Sequence, residues 1–147
     1  MTSIETRLDS ARLALKYGIG LAAFLAGLDK FFNLLANWEG YVGPLAKAVL
    51  PVGPTTFMYA VGVIEMAVGL AILTRWTALA SYVAMVWLVL IAANLVTTGM
   101  YFDVAVRDVE MAIAAYTLAR LTEAKEATVG GQVPLQGSGT NRLGTAA

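Results

Sequence analysis

Four stretches of the chain, residues 14–35, 56–73, 77–96 and 102–121, are each apolar over about the twenty residues that a bilayer core demands of a helix. No other feature constrains the fold so strongly. A segment in hydrocarbon must satisfy its own N–H and C=O groups, and a helix does so residue by residue. The runs are made of Leu, Ala, Val, Met and Gly without alternation at period two, which excludes the short strands of a membrane barrel. The prediction is all-α: an integral membrane four-helix bundle, its domain covering residues 13–121. Composition agrees, with 59% hydrophobic and only 14% charged residues.

The flanks and connections have their own signals. Residues 1–12 read as a cytoplasmic amphipathic lead-in, with Ser3 or Thr6 as its cap. Glu5 and Asp9 stand where a secretory signal would be basic, and the run that follows is too long for one. Between the first two runs the tripeptide Val-Gly-Pro occurs twice, at residues 42–44 and 52–54. Proline at a first helical position costs no hydrogen bond, so Pro44 predicts a short interfacial helix ending near Leu50, and Pro54 predicts the start of the second long helix. Trp38, Tyr41, Phe57 and Tyr59 gather in this region, as aromatic residues do at headgroup depth. Residues 122–147 are rich in Gly, Thr and Ala without an apolar period and read as a disordered cytoplasmic tail.

Orientation follows from the cations. Arg7, Arg12 and Lys16 lie at the start of the first run, Arg75 lies between the second and third, and Arg120, Lys125 and Arg142 follow the fourth, with Lys47 alone on the other side. By the positive-inside rule both termini are cytoplasmic, which requires an even number of spans. Multi-pass insertion in a bacterial or archaeal cytoplasmic membrane is the expected location.

Cysteine and histidine are both absent. That removes the usual ligands of haem, iron–sulfur clusters, copper and most zinc sites, so the expected metal content is none and no cofactor is held by a protein ligand. It also removes Cys–His and Ser–His nucleophiles. Ten cations balance ten anions, leaving no basic patch for nucleic acid.

The informative charges are those inside the apolar runs. Under the predicted topology Lys30, Glu65, Arg107 and Asn94 all fall in the outer half of the bundle. Lys30, Asn33 and Asn37 are spaced i, i+3, i+7 and would share one helical face, as would Asp103, Arg107 and Glu110. Asp108 points more than a quarter-turn away from Arg107 and is assigned to another neighbour or to the headgroup layer. Gly62 and Gly69 flank Glu65 on a small-residue face that admits a close helix. A charge at a helix centre costs about 2.5–3.5 kcal/mol on insertion scales, so each needs a partner or water. Asp29 and Lys30, being adjacent, point about 100° apart and need two different partners. The predicted cluster is Asp29, Lys30, Asn33, Glu65, Asn94, Asp103, Arg107, Asp108 and Glu110, with Glu65, the deepest carboxyl, as candidate proton carrier.

Three segments, "AGLDKFFN", "GVIEMAVGLAILTRW" and "YFDVAVRDVEMAIAAYTLARL", together resemble the DoxX/DoxD-like family of small membrane proteins of bacteria and archaea. The likeness rests on Gly27, Lys30 and Phe31, on Glu65 and Gly69, and on Asp103, Ala105, Arg107 and Asp108, over residues 13–121. It implies four membrane helices and, in some members, a subunit of a thiosulfate:quinone oxidoreductase associated with a terminal quinol oxidase. The leading expectation is therefore a quinone-linked respiratory or sulfur/redox-associated membrane subunit with a polar cavity toward the outer face. If it is enzymatic, it is an oxidoreductase subunit. The other class is a non-enzymatic anchor or assembly subunit of a larger complex. Expected partners are the lipid bilayer, other membrane or redox subunits, and further copies of the chain.

Overall fold

The computed structural model describes residues 3–49 and 52–131, and among these every regular element is helical. The elements are α1 (Ser3–Asp29), a 3-10 turn (Trp38–Tyr41), α2 (Pro44–Val49), α3 (Pro54–Leu73), α4 (Thr77–Thr97) and α5 (Phe102–Gly131). Pro44 opens α2, and Pro54 opens α3 in its first turn after an extended Gly53. Three helices, α1, α3 and α4, are long and apolar enough to cross a membrane. The longer α5 is not in that class, because charges crowd both its ends, Asp103, Arg107, Asp108 and Glu110 in the first turns and Arg120, Glu123, Lys125 and Glu126 in the last.

Three expectations change. The lead-in is not a separate piece: from Ser3 onward it is the first turns of α1. At its other end α1 stops at Asp29, so Lys30, Asn33 and Asn37 lie beyond the helix and form no helical stripe. The physical cause is local: Asn33 takes a left-handed conformation (φ 53°), and the Asp29 carboxylate accepts the backbone N–H groups of Leu34 at 3.0 Å and Leu35 at 2.9 Å, folding the chain back. Finally, the helix expected to give way to a tail at residue 122 continues to Gly131. Residues 122–128 are mostly good helix formers, Arg120 pairs with Glu123 at 2.8 Å, and the buried Thr122 hydroxyl bonds to the Leu118 carbonyl. The rest of that predicted tail, 132–147, lies outside the described residues, as do Leu50 and the first two residues of the lead-in.

The four long helices associate as two intimate pairs, α1 with α3 and α4 with α5, and the pairs meet less extensively. Small residues make both pairs possible. On α5 the alanines 105, 112 and 119 recur every seven residues and are all buried against neighbours. On α1 and α3, Gly20 and Gly27 meet Gly69 and Gly62. At the end where α1 begins and α5 finishes, Ile19, Ile72, Ala80, Ala84, Ala115 and Leu118 form a packed core. Lys16 closes this end by donating to the Thr74 carbonyl at 2.8 Å, where α3 runs out of helical partners.

Candidate functional site

The site begins with the glycines. A Cβ on Gly27 would lie 2.6 Å from the Gly62 carbonyl oxygen and 3.0 Å from the Glu65 Cβ, and one on Gly62 would lie 3.2 Å from the Lys30 Cβ. Backbone contact at this crossing therefore sets Lys30 beside Glu65. Their side chains meet at 2.5 Å, Lys30 Nζ to Glu65 Oε2, with both residues buried. The ammonium also sits 3.9 Å from the centre of the Trp38 ring, a cation–π contact, and makes a longer contact with the Ala26 carbonyl.

Asp29 uses a separate set of partners, as its divergence from Lys30 requires. Besides the two amides, its Oδ2 accepts the Trp38 indole N–H at 2.7 Å. Asp29 thus holds the indole whose face covers Lys30, and the pair and the carboxylate act through one aromatic ring. The segment that follows is tied down across the same end. Glu39 accepts from Thr55, the Asn94 side chain donates to the Tyr41 carbonyl at 2.9 Å, and Tyr41 packs edge-on against Tyr101 at 4.6 Å. Gly43 lets the chain lie on α4, since a Cβ there would meet the Asn94 side-chain oxygen at 2.7 Å.

Beneath this cover the two helix pairs stand apart around a cavity of about 890 Å³. Ile19, Val68, Ala84 and Met111 form its floor and belong also to the packed core. Its walls are apolar and aromatic, with Ala23, Ala26, Phe57, Met58, Val61, Trp87 and Ile91. Polar groups converge on it from every side: Lys30 and Trp38, Glu65 from α3, Asn94 from α4, and Arg107 and Asp108 from α5.

Lys30, Glu65, Asn94, Arg107 and Asp108 thus share one cavity, with Asp29 behind Trp38. Asp103, Glu110 and Asn33 are exposed and do not line it. Helical spacing had grouped Asp103, Arg107 and Glu110 and turned Asp108 away. In the fold Asp108 is the buried one, 9% exposed, because α5 turns its alanine face toward α4 and so carries position 108 inward. Four contributors had no charge signal in the sequence. Gly20 and Gly27 complete the small-residue seam opposite Gly69 and Gly62, which an i, i+7 glycine spacing on two runs could have suggested. Trp38 and Trp87, readable only as belt or packing residues, line the cavity.

Among the described residues no group of three acidic side chains is placed to hold a metal ion. What the arrangement offers instead is a small-molecule site: pockets of roughly 300–1,000 Å³, mostly apolar with a few convergent polar groups, suit ligands of that size. No family model matches this chain, and no curated protein or solved structure matches it.

Proposed function

We propose that the chain is a four-span integral membrane protein of a bacterial or archaeal cytoplasmic membrane, and that its cavity binds the headgroup of a membrane quinone as part of a respiratory or sulfur/redox assembly. The cavity carries this reading. An apolar chamber with a charged end is complementary to a flat, lipophilic ring bearing carbonyl oxygens, for which Lys30 and Arg107 are donors. Both termini would face the cytoplasm, where Arg7, Arg12, Arg75, Arg120 and Lys125 collect. Helix α2 and the 3-10 turn would then lie at the outer headgroup layer. The likeness to DoxX-like proteins points the same way, toward quinone-linked chemistry whose electrons come from a partner subunit.

Gentle purification from the native membrane, with extraction and mass spectrometry of bound lipids, tests the reading. A quinone retained near one per chain, and displaced by Arg107→Ala, is the expected result. Wild-type protein that carries no quinone, and whose tryptophan fluorescence is unchanged by added short-chain ubiquinone, would overturn it.

One observation favours an anchoring role as the second reading. Asp9 accepts from Lys125 at 2.7 Å and from Arg12 at 3.0 Å, joining the start of α1 to the last turns of α5 in a paired extension on which Ile4, Leu8 and Val129 are exposed. A redox subunit that co-purifies through this extension, with no quinone present, would support it.

A further inference from the structure

The buried carboxyls Asp29, Glu65 and Asp108 differ in their partners. Glu65 is engaged by Lys30 at 2.5 Å, and Asp29 is engaged by two amides and an indole. Asp108 differs from both. It is 9% exposed, lines the cavity, and among the described residues has neither an ion pair nor a hydrogen-bond partner.

We propose that Asp108, rather than Glu65, is the group in this cavity that exchanges a proton and offers its O–H to a bound ligand. The proposal rests on the quinone-site reading for the ligand, though not for the proton. Of the charged neighbours, Glu65 favours the protonated form while Lys30 and Arg107 oppose it, so the balance turns on how far each cation is neutralised or exposed. From the end of α1, Lys30 faces the cavity with its charge matched by Glu65 from α3, so the pair contributes little net field. Helix α4 carries no ionisable side chain near this end, only Trp87 and Asn94. On α5 itself Arg107 is adjacent in sequence but exposed, at the opening of the chamber. An unpaired carboxylate among apolar walls is costly, and that cost vanishes when the oxygen takes a proton. A neutral carboxylic acid then has one O–H to donate and a carbonyl to accept, which fits a ligand oxygen as it gains or loses hydrogen. The exchange balances simply: Asp108 takes a proton from water at the opening beside Arg107 and returns it to water or passes it to the ligand oxygen, with no electron moved by the carboxyl.

A hydrophobic carbodiimide provides the test, because it forms a stable adduct with protonated carboxyls in apolar surroundings. Full-length protein in lipid nanodiscs is treated over a pH series, and the adducts are located by peptide mass spectrometry. The expected result is an adduct at Asp108, lost as pH rises and absent in Asp108→Asn, with none above background at Glu65. An adduct at Glu65 in place of Asp108, or none at Asp108 at any pH at which the protein stays folded, would overturn the proposal. The wild-type measurement needs no variant to fold. Adding short-chain ubiquinone separates the two ideas: protection of Asp108 supports the quinone site, whereas labelling unaffected by quinone removes that ligand and leaves the proton assignment standing.

Discussion

Gly27 and Gly62 approach so closely that a side chain on either would run into the other's carbonyl oxygen at 2.6 Å. Neither obstacle is a flexible side chain, so the backbones of α1 and α3 would have to separate. We expect Gly27→Ala and Gly62→Ala each to cost about 1–3 kcal/mol, the range for overpacking. Gly18 is the matched control: it sits in the same helix with nothing within 4 Å of its added Cβ. Gly18→Ala should be neutral or stabilising by up to about 1 kcal/mol. Thermal unfolding in detergent checks the contrast, and equal behaviour of the three variants would remove the seam from the account.

The Lys30–Glu65 pair follows from that seam, and its removal should be strongly non-additive. Lys30→Met leaves a buried carboxylate without its partner, a loss of about 3–5 kcal/mol for a broken buried pair. The double variant Lys30→Met with Glu65→Met should recover most of that, because two apolar side chains of similar length leave nothing unpaired. A double variant as unstable as the sum of the singles would mean that the two side chains do not act on one another.

Much of this was legible in the sequence, and the rest was hidden for physical reasons. Pro44, Pro54, Thr77 and Phe102 mark helix starts because their signals are local: a proline in a first turn, or an apolar run resuming after a turn. The end of α1 was less legible. The run "DKFFNLL" is apolar enough to continue a helix, and what stops it is the Asp29 carboxylate accepting the amides of Leu34 and Leu35, a short fold-back that neither composition nor periodicity signals. The charges that meet, Lys30, Glu65, Arg107 and Asp108, were each visible as anomalies in apolar runs. Which of Asp103, Asp108 and Glu110 faces inward depended on the rotation of α5, set by its alanines packing on α4 rather than by its charges.

Asp29 should therefore govern order in the segment after α1 without governing the helix bundle as a whole. In Asp29→Ala the amides of Leu34 and Leu35 and the Trp38 indole lose their acceptor together. Hydrogen exchange should quicken across residues 31–41 while α3, α4 and the body of α5 keep their protection. Trp38 emission should also change as the ring leaves Lys30. Unchanged exchange at residues 34 and 35 would show that this carboxylate is dispensable to the fold-back.

Filling the cavity should separate binding from stability. Ala26 lies on its α1 wall beside Lys30, partly buried and pointing into free volume, so Ala26→Trp adds apolar bulk without removing a polar partner. We expect bound quinone to be lost while the unfolding temperature holds or rises, since burying apolar surface in a void is favourable. A variant that retains full quinone occupancy would place the ligand elsewhere on the protein.

Whether α5 crosses the bilayer beside the three more apolar helices is the point on which orientation turns, and the chain is suited to the experiment because it has no cysteine of its own. Single cysteines at four exposed positions, Leu34, Ala48, Trp76 and Thr128, sample both ends of the helices without replacing a charged residue. If four helices span, a membrane-impermeant maleimide reaches Leu34→Cys and Ala48→Cys on intact cells, and Trp76→Cys and Thr128→Cys only after permeabilisation. The decisive comparison is between the last two. Position 76 joins α3 to α4 and position 128 lies near the end of α5, so they share a side only if α4 and α5 both cross. Labelling of Thr128→Cys from outside, with Trp76→Cys protected, would instead mean that α5 returns no charge to the cytoplasm. Asp103, Arg107, Asp108 and Glu110 would then lie in the outer aqueous layer, and a buried proton-exchanging carboxyl at position 108 would lose its apolar setting.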